Sequence, residues 1–167
     1  MEIINKIASS SLEVFDLEDY YPIGNRIQID ISNWLEDGFL LKEKDFREAL
    51  KNHNWQQYQD CFVAINCSTD AIIPAWASIL VAVYVTPFSK KVVIGNLTDL
   101  DTALYQEILS QLDFSVYKDK PLILKGCSKK TVPQSAYILA VELLLPFAKK
   151  ISYGEACSAV PLFKKVD

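Results

Sequence analysis

The sequence predicts an α/β fold: a single-domain three-layer sandwich with a mostly parallel sheet, built from two duplicated halves. Two observations carry this. Short apolar runs of strand character alternate with stretches of helical length, the pattern of a parallel sheet under covering helices. A shift of 59 residues also lines one half of the chain up with the other. Phe46-Arg47-Glu48 meets Tyr105-Gln106-Glu107, Tyr58-Gln59-Asp60 meets Tyr117-Lys118-Asp119, and Pro87-Phe88-Ser89-Lys90-Lys91 meets Pro146-Phe147-Ala148-Lys149-Lys150. Cys67-Ser68 meets Cys127-Ser128 with a one-residue slip. Repeats of this length mark a duplicated structural unit.

The elements follow in order. Arg26 to Ile31 alternates Ile27, Ile29 and Ile31 with polar residues and reads as a half-exposed or edge strand. Lys42 to Lys51 is an amphipathic helix. Phe62 to Asn66 is a short apolar strand. Pro74 to Val85 is a helix with proline in its first turn, where the missing N–H is harmless, and Pro87 stops it. Lys91 to Gly95 is a strand. Thr98 to Leu112 is a helix, with Thr98 and Asp101 placed like a capping box. Leu122 to Lys125 is a strand, Pro133 to Leu145 a helix stopped by Pro146, and Lys150 to Gly154 the last strand. One domain spans residues 1–167, with an N-terminal arm over 1–25 and repeats over about 36–95 and 95–154. The arm, with Leu12, Val14, Phe15 and Leu17 among acidic residues, is expected to lie over the surface. Residues 158–167 are too few for another element, and Pro161-Leu162-Phe163 is expected to pack back on the body.

Composition narrows the function. The chain is 50% hydrophobic and 23% charged, ordinary for a globular protein, with a net charge of −4. That mild acidity, with no basic stripe interleaved with aromatics, argues against nucleic acid as a partner. The longest apolar stretch, Ala71 to Val85, is too short to span a bilayer, so no membrane partner is expected. Nothing at the opening reads as a secretory leader, and four cysteines do not make a disulfide scaffold, so the expected location is cytoplasmic. With five glycines and no phosphate-binding glycine motif, a nucleotide cradle is not expected.

Several segments carry a family resemblance. They are Met1-Glu2-Ile3-Ile4-Asn5-Lys6, Ser9-Ser10-Ser11-Leu12-Glu13, Leu40-Leu41-Lys42-Glu43-Lys44-Asp45-Phe46-Arg47, Cys67-Ser68-Thr69-Asp70-Ala71-Ile72-Ile73-Pro74-Ala75-Trp76, Lys125-Gly126-Cys127-Ser128 and Tyr153-Gly154-Glu155-Ala156-Cys157-Ser158. Together they resemble a bacterial domain-of-unknown-function family, number 2480, over nearly the whole chain. The resemblance implies a single-domain bacterial protein and implies no activity.

The chemistry is read from three Cys-Ser pairs, each just past an apolar run: Cys67-Ser68, Cys127-Ser128 and Cys157-Ser158. If the runs are parallel strands of one sheet, all three thiols leave at its carboxyl edge, where ligands bind in open α/β sheets. Soft sulfur ligands suit zinc or iron. The expected metal set is Cys67, Cys127, Cys157 and Glu155, with Glu155 and Asp70 as candidate catalytic bases on metal-bound water, as in a metal-dependent hydrolase. No Cys-x-x-Cys knuckle supports the metal locally. Two alternatives stand beside it: metal-free thiol chemistry, since a helix N-terminus favours a thiolate, and a non-catalytic interaction or scaffold protein with packed cysteines. Cys61, at the far end of its strand from Cys67, reads as structural. His53, in the polar string Lys51-Asn52-His53-Asn54, reads as a solvated loop residue. The serines, Asn33 and Asn96 read as caps. Finally, Ala75 to Val85 and Ala136 to Leu145 show little polar stripe, so a homodimer burying these helices is the expected partner.

Overall fold

The computed structural model describes residues 11–166. Along the chain run β1 (Glu13–Asp16), β2 (Arg26–Asp30), α1 (Glu43–Asn52), β3 (Phe62–Asn66), α2 (Ala75–Val85), β4 (Lys91–Ile94), α3 (Leu97–Ser110), β5 (Pro121–Lys125), α4 (Gln134–Leu144), β6 (Lys150–Tyr153) and β7 (Val160–Lys164). The fold class is α/β with mostly parallel strands, as the sequence predicts. The duplication shows in the bounds of the elements. Trp55–Tyr58 (a 3-10 turn), Phe62–Asn66, Ala75–Val85 and Lys91–Ile94 return 59 residues later as Phe114–Tyr117, Pro121–Lys125, Gln134–Leu144 and Lys150–Tyr153.

The strands divide between two sheets instead of joining one. The orders are β2-β3-β4 and β1-β5-β6-β7, every pairing parallel except β6 with β7. The cause lies in residues expected to form an arm. Glu13 to Asp16 pairs with Leu122 to Lys125, so β1 gives the second repeat a first strand of its own, as β2 serves the first repeat. Phe15 and Leu17 are buried, with Phe15 packed among Tyr20, Phe114 and Tyr117. Of the expected arm, residues 1–10 lie outside the described residues. The chain end is also corrected: Val160–Lys164 is an antiparallel strand on β6, with a register break at Ile151 and Ser152 that accommodates Pro161. Proline is tolerated on an edge strand because its missing N–H faces no partner.

The chain separates into two compact units, residues 23–103 and residues 1–22 with 104–167, the division falling inside α3. In the first, Ile29, Val63 and Ile65 of the sheet share a core with Phe46 and Leu50 of α1 and Ala77, Val81 and Val85 of α2. In the second, Phe15, Leu122, Leu124 and Ile151 share a core with Tyr105 and Leu109 of α3 and Ala136, Ala140 and Leu144 of α4. The helical contacts recur at four-residue spacing, the stripe that faces a sheet. Each fully buried Leu, Ile or Phe contributes about 1.5–3 kcal/mol. Within each unit the layers number two, with both helices on one face. In β2-β3-β4 the strand order advances in one direction, and right-handed crossovers then put both connecting helices on the same side. All parallel strands of a unit end at one edge.

The start of α3 keeps the expected Asn96 cap but not the expected pairing of Thr98 with Asp101. The cap of α3 is Asn96: its Oδ1 accepts the N–H groups of Thr98 and Asp99 at 2.8 and 3.0 Å, and Asp99 Oδ2 accepts the Asn96 N–H at 2.7 Å. This is a reciprocal capping box. Asp101 instead accepts from Arg26 Nε at 2.6 Å. No helix among the described residues is long and apolar enough to cross a membrane.

Candidate functional site

At the carboxyl edge of β2-β3-β4, the Cys67-Ser68 loop is tied to Asp30. The Asp30 carboxylate accepts the Ser68 N–H at 3.0 Å, the Ser68 hydroxyl at 2.5 Å and the Ser32 N–H at 3.0 Å. Burial pushes its pKa up, but the hydrogen bonds from Ser68 and Ser32 outweigh this and hold it at about 2. Thr69 donates its hydroxyl to the Gly38 carbonyl at 2.6 Å, which leaves the half-buried Cys67 thiol as donor to Thr69 Oγ1 at 3.4 Å. Asp70 is exposed. Cys67 and Ser68 therefore shape a loop.

The edge of β5-β6 repeats this arrangement with different residues. Glu18 takes the place of Asp30 and accepts the N–H groups of Ser128 and of Lys129, the latter at 3.0 Å. The Lys129 N–H leads in holding its carboxyl below the ordinary value. Cys127 sits in a left-handed backbone conformation, φ 61°. Its sulfur accepts the Val132 N–H at 3.2 Å, and its S–H donates to the Val132 carbonyl at 3.3 Å, so the thiol closes the loop from both sides. Lys125 Nζ lies between Asp16 at 3.8 Å and Glu155 at 3.4 Å. Cys157 and Glu155 are exposed beyond β6.

Tyr137 of α4 reaches this edge from beneath. Its hydroxyl lies over Gly126, where an added Cβ would stand 2.7 Å from it; glycine is required there by close approach. The residue is 7% exposed, and its hydroxyl is buried with the Cys127 sulfur as its polar neighbour and makes no hydrogen bond of regular geometry. Burial, then the neighbouring Cys127, push its pKa up, so it stays a protonated donor. An unpaired buried hydroxyl is destabilising by about 1–3 kcal/mol. Its ring lies edge-on to Tyr153 at 5.8 Å.

Tyr137 and Tyr153 also line a pocket of about 400 Å³ between α4 and the sheet, walled by Leu124, Ile138, Val141 and Leu162. That size lies in the range of small-molecule sites. The first repeat has a counterpart of about 460 Å³ between α2 and β3-β4, with Ser78 at the position of Tyr137. A tyrosine in place of a serine distinguishes the lining of the second pocket from that of the first.

The expected metal set is not gathered at one sheet edge. Cys67 and Asp70 follow a strand of one sheet, while Cys127, Glu155 and Cys157 follow strands of the other. Among the described residues no three of His, Cys, Asp and Glu stand together as a metal-holding group. Cys61 is buried at the start of β3, as expected of a structural cysteine. His53 is not a solvated loop residue. It is half-buried against Trp34, Trp55 and Tyr58, with Nε2 2.9 Å from the Tyr58 hydroxyl, and burial lowers its pKa. Sequence reasoning passed over Asp30, Glu18 and Tyr137. Asp30 could have been found as the acidic residue that closes β2 just before its turn; Glu18 lies within the turn after β1, which Asp16 closes. Tyr137 sits in an apolar run that reads only as packing.

The chain belongs to a family of proteins of unknown function, DUF2480, matched over residues 1–165. No curated protein and no solved structure matches it.

Proposed function

We propose that this DUF2480 protein binds a small molecule with an apolar body and a neutral carbonyl-type acceptor, in the pocket of the second repeat. The observation that carries the reading is the Tyr137 hydroxyl: buried, held protonated and with no hydrogen bond of regular geometry beyond its contact with the Cys127 sulfur, on a residue that lines an apolar pocket of about 400 Å³. A buried polar group without a regular hydrogen bond calls for one, and a ligand acceptor would supply it. The charges around this edge, Asp16, Glu18 and Glu155 against Lys125, Lys129 and Lys130, balance, so nothing favours an anion over a neutral acceptor. Cys127 belongs to the site as the residue that shapes its loop. This reading invokes neither zinc nor iron: a ligand set of Cys67, Cys127, Cys157 and Glu155 would draw on two sheets. Nor does it make Glu155 a base, since Glu155 is an exposed partner of Lys125. Four free cysteines fit a reducing cytoplasm, where we place the protein.

The test uses octanamide as probe, followed by the rise in unfolding temperature and by chemical-shift changes at Tyr137 and Tyr153. Binding should weaken roughly fivefold in Tyr137→Phe, the worth of one net hydrogen bond. It should vanish in Val141→Trp, which fills the pocket. Stoichiometric zinc or iron in the purified protein, with no response to octanamide, would reject this reading in favour of a metal centre.

A further inference from the structure

β4 and β6 hold the same place in their repeats, yet among the described residues only β6 has a strand on its outer side. There β7 pairs antiparallel, and Ile151 and Ser152 are buried beneath it. The equivalent residues of β4, Val92 and Val93, are more apolar but only half-buried, and Ile94 is 68% exposed. Among the described residues no strand pairs with the outer side of β4. An open strand edge is a template for pairing unless proline, a bulge or an inward charge blunts it. The other sheet ends in β7, which carries Pro161 and a register break. Val92 to Ile94 carry no proline, bulge or charge, and the one charged residue of β4 is Lys91 at its start.

We propose that a second copy of this chain supplies the missing strand, β4 pairing antiparallel with the partner's β4 about a two-fold axis. The inference is independent of the ligand site. Three observations select this occupant. A two-fold axis generates an antiparallel pair, the orientation that β7 adopts on β6. In a pair with the axis at Val93, Val93 opposes its own copy, Lys91 faces the partner's Gly95 and Lys90 faces the partner's Asn96, so no like charges oppose one another. Asp99, just past the strand end, then stands near the partner's lysines. The same axis brings α2 toward its partner copy. That helix has no charged residue, and Ile79 and Val83 on its outer face are 62% and 64% exposed. Beside it lies the pocket of about 460 Å³ bounded by Val92, Val93 and Ile94. In the second repeat the corresponding pocket gains a wall from Leu162 of β7; the partner strand supplies one here.

Sedimentation velocity of the full chain across the micromolar range tests the proposal. The expected result is a dimer mass, with exchange of the Val92 to Ile94 amides slowing as concentration rises. Val93→Pro should give a monomer with unchanged circular dichroism. Ile94→Lys, at a site exposed in the protomer, should do the same and decides the matter if the proline variant misfolds. Ile138→Lys on α4 should remain a dimer. A monomer at all concentrations overturns the proposal and leaves the edge to a strand of a different protein. A dimer that survives both β4 substitutions overturns it as well.

Discussion

Asp60 and Asp119 make the same turn in the two repeats. Each takes a left-handed conformation, φ 59° and 56°, and each donates its N–H at 2.9 Å to a phenylalanine carbonyl, that of Phe88 or Phe147. The duplication thus extends to backbone detail at the entrance to β3 and β5. A left-handed conformation is unfavourable for an L-residue by roughly 1–2 kcal/mol and is tolerated best by Gly, Asn and Asp. Asp60→Gly and Asp119→Gly should therefore hold or slightly raise stability. Asp60→Val and Asp119→Val should lower it by about 1–2 kcal/mol. Urea unfolding of the four variants checks this, and a neutral valine at either site would contradict it.

The Asp30 carboxylate gives the fold an acid limit. Its folded pKa is about 2, against an ordinary value of 3.8. At pH 3 the unfolded chain binds a proton that the folded chain does not, so lowering the pH favours unfolding. The stabilisation is complete above about pH 4 and is lost as pH falls through the folded value. Asp30 is partly exposed, and with solvent screening counted its contribution is about 1 kcal/mol. Asp30→Asn should remove that much at pH 7 and flatten stability between about pH 4 and 2. Denaturant midpoints across that range provide the measurement.

His53 sets a second, milder dependence. Burial against Trp34, Trp55 and Tyr58 lowers its pKa below 6.5. The folded state therefore prefers the neutral ring. Its contribution is fully present above the unfolded pKa and declines as pH falls through the folded one. His53→Phe should remove this dependence below about pH 6.5 while keeping the ring packing. Proton NMR titration of the only histidine reads the pKa directly; a value at or above 6.5 would show the ring to be solvated.

Local pattern made most of the elements legible, and distant pairing hid the rest. Phe62–Asn66 and the helices after Pro74 and Pro133 could be read because apolar runs and prolines mark their own ends. The shift from Phe46 to Tyr105 revealed the duplication for the same reason. The sheet division depended on Glu13 pairing with Leu122, a contact that no local window contains. Without it, strands that each look parallel are naturally joined into one sheet, and Cys67 is brought to Cys127 and Cys157. Pro161 hid β7, because proline in a short run argues against a strand unless an edge is available. Tyr137 was hidden by its helix: an aromatic among Ala136, Ile138 and Leu139 signals core, and only the close approach to Gly126 shows its hydroxyl at the strand end.

Gly126 and Tyr137 should behave as a coupled pair. A Cβ at position 126 would meet the Tyr137 hydroxyl at 2.7 Å. Gly126→Ala should therefore destabilise by about 1–3 kcal/mol, the usual penalty for overpacking. Tyr137→Phe removes both the colliding oxygen and a buried hydroxyl without a regular hydrogen bond, and should stabilise the ligand-free protein by about 1 kcal/mol. In the double variant the alanine should cost well under its single-variant penalty, a coupling expected only of residues in contact. Thermal unfolding of the four members of the cycle measures it. The tyrosine arm also bears on the ligand: a group that destabilises the empty protein yet strengthens octanamide binding is kept for binding. If Tyr137→Phe instead loses stability without ligand, the hydroxyl has a partner within the fold, and the observation on which the binding reading rests falls.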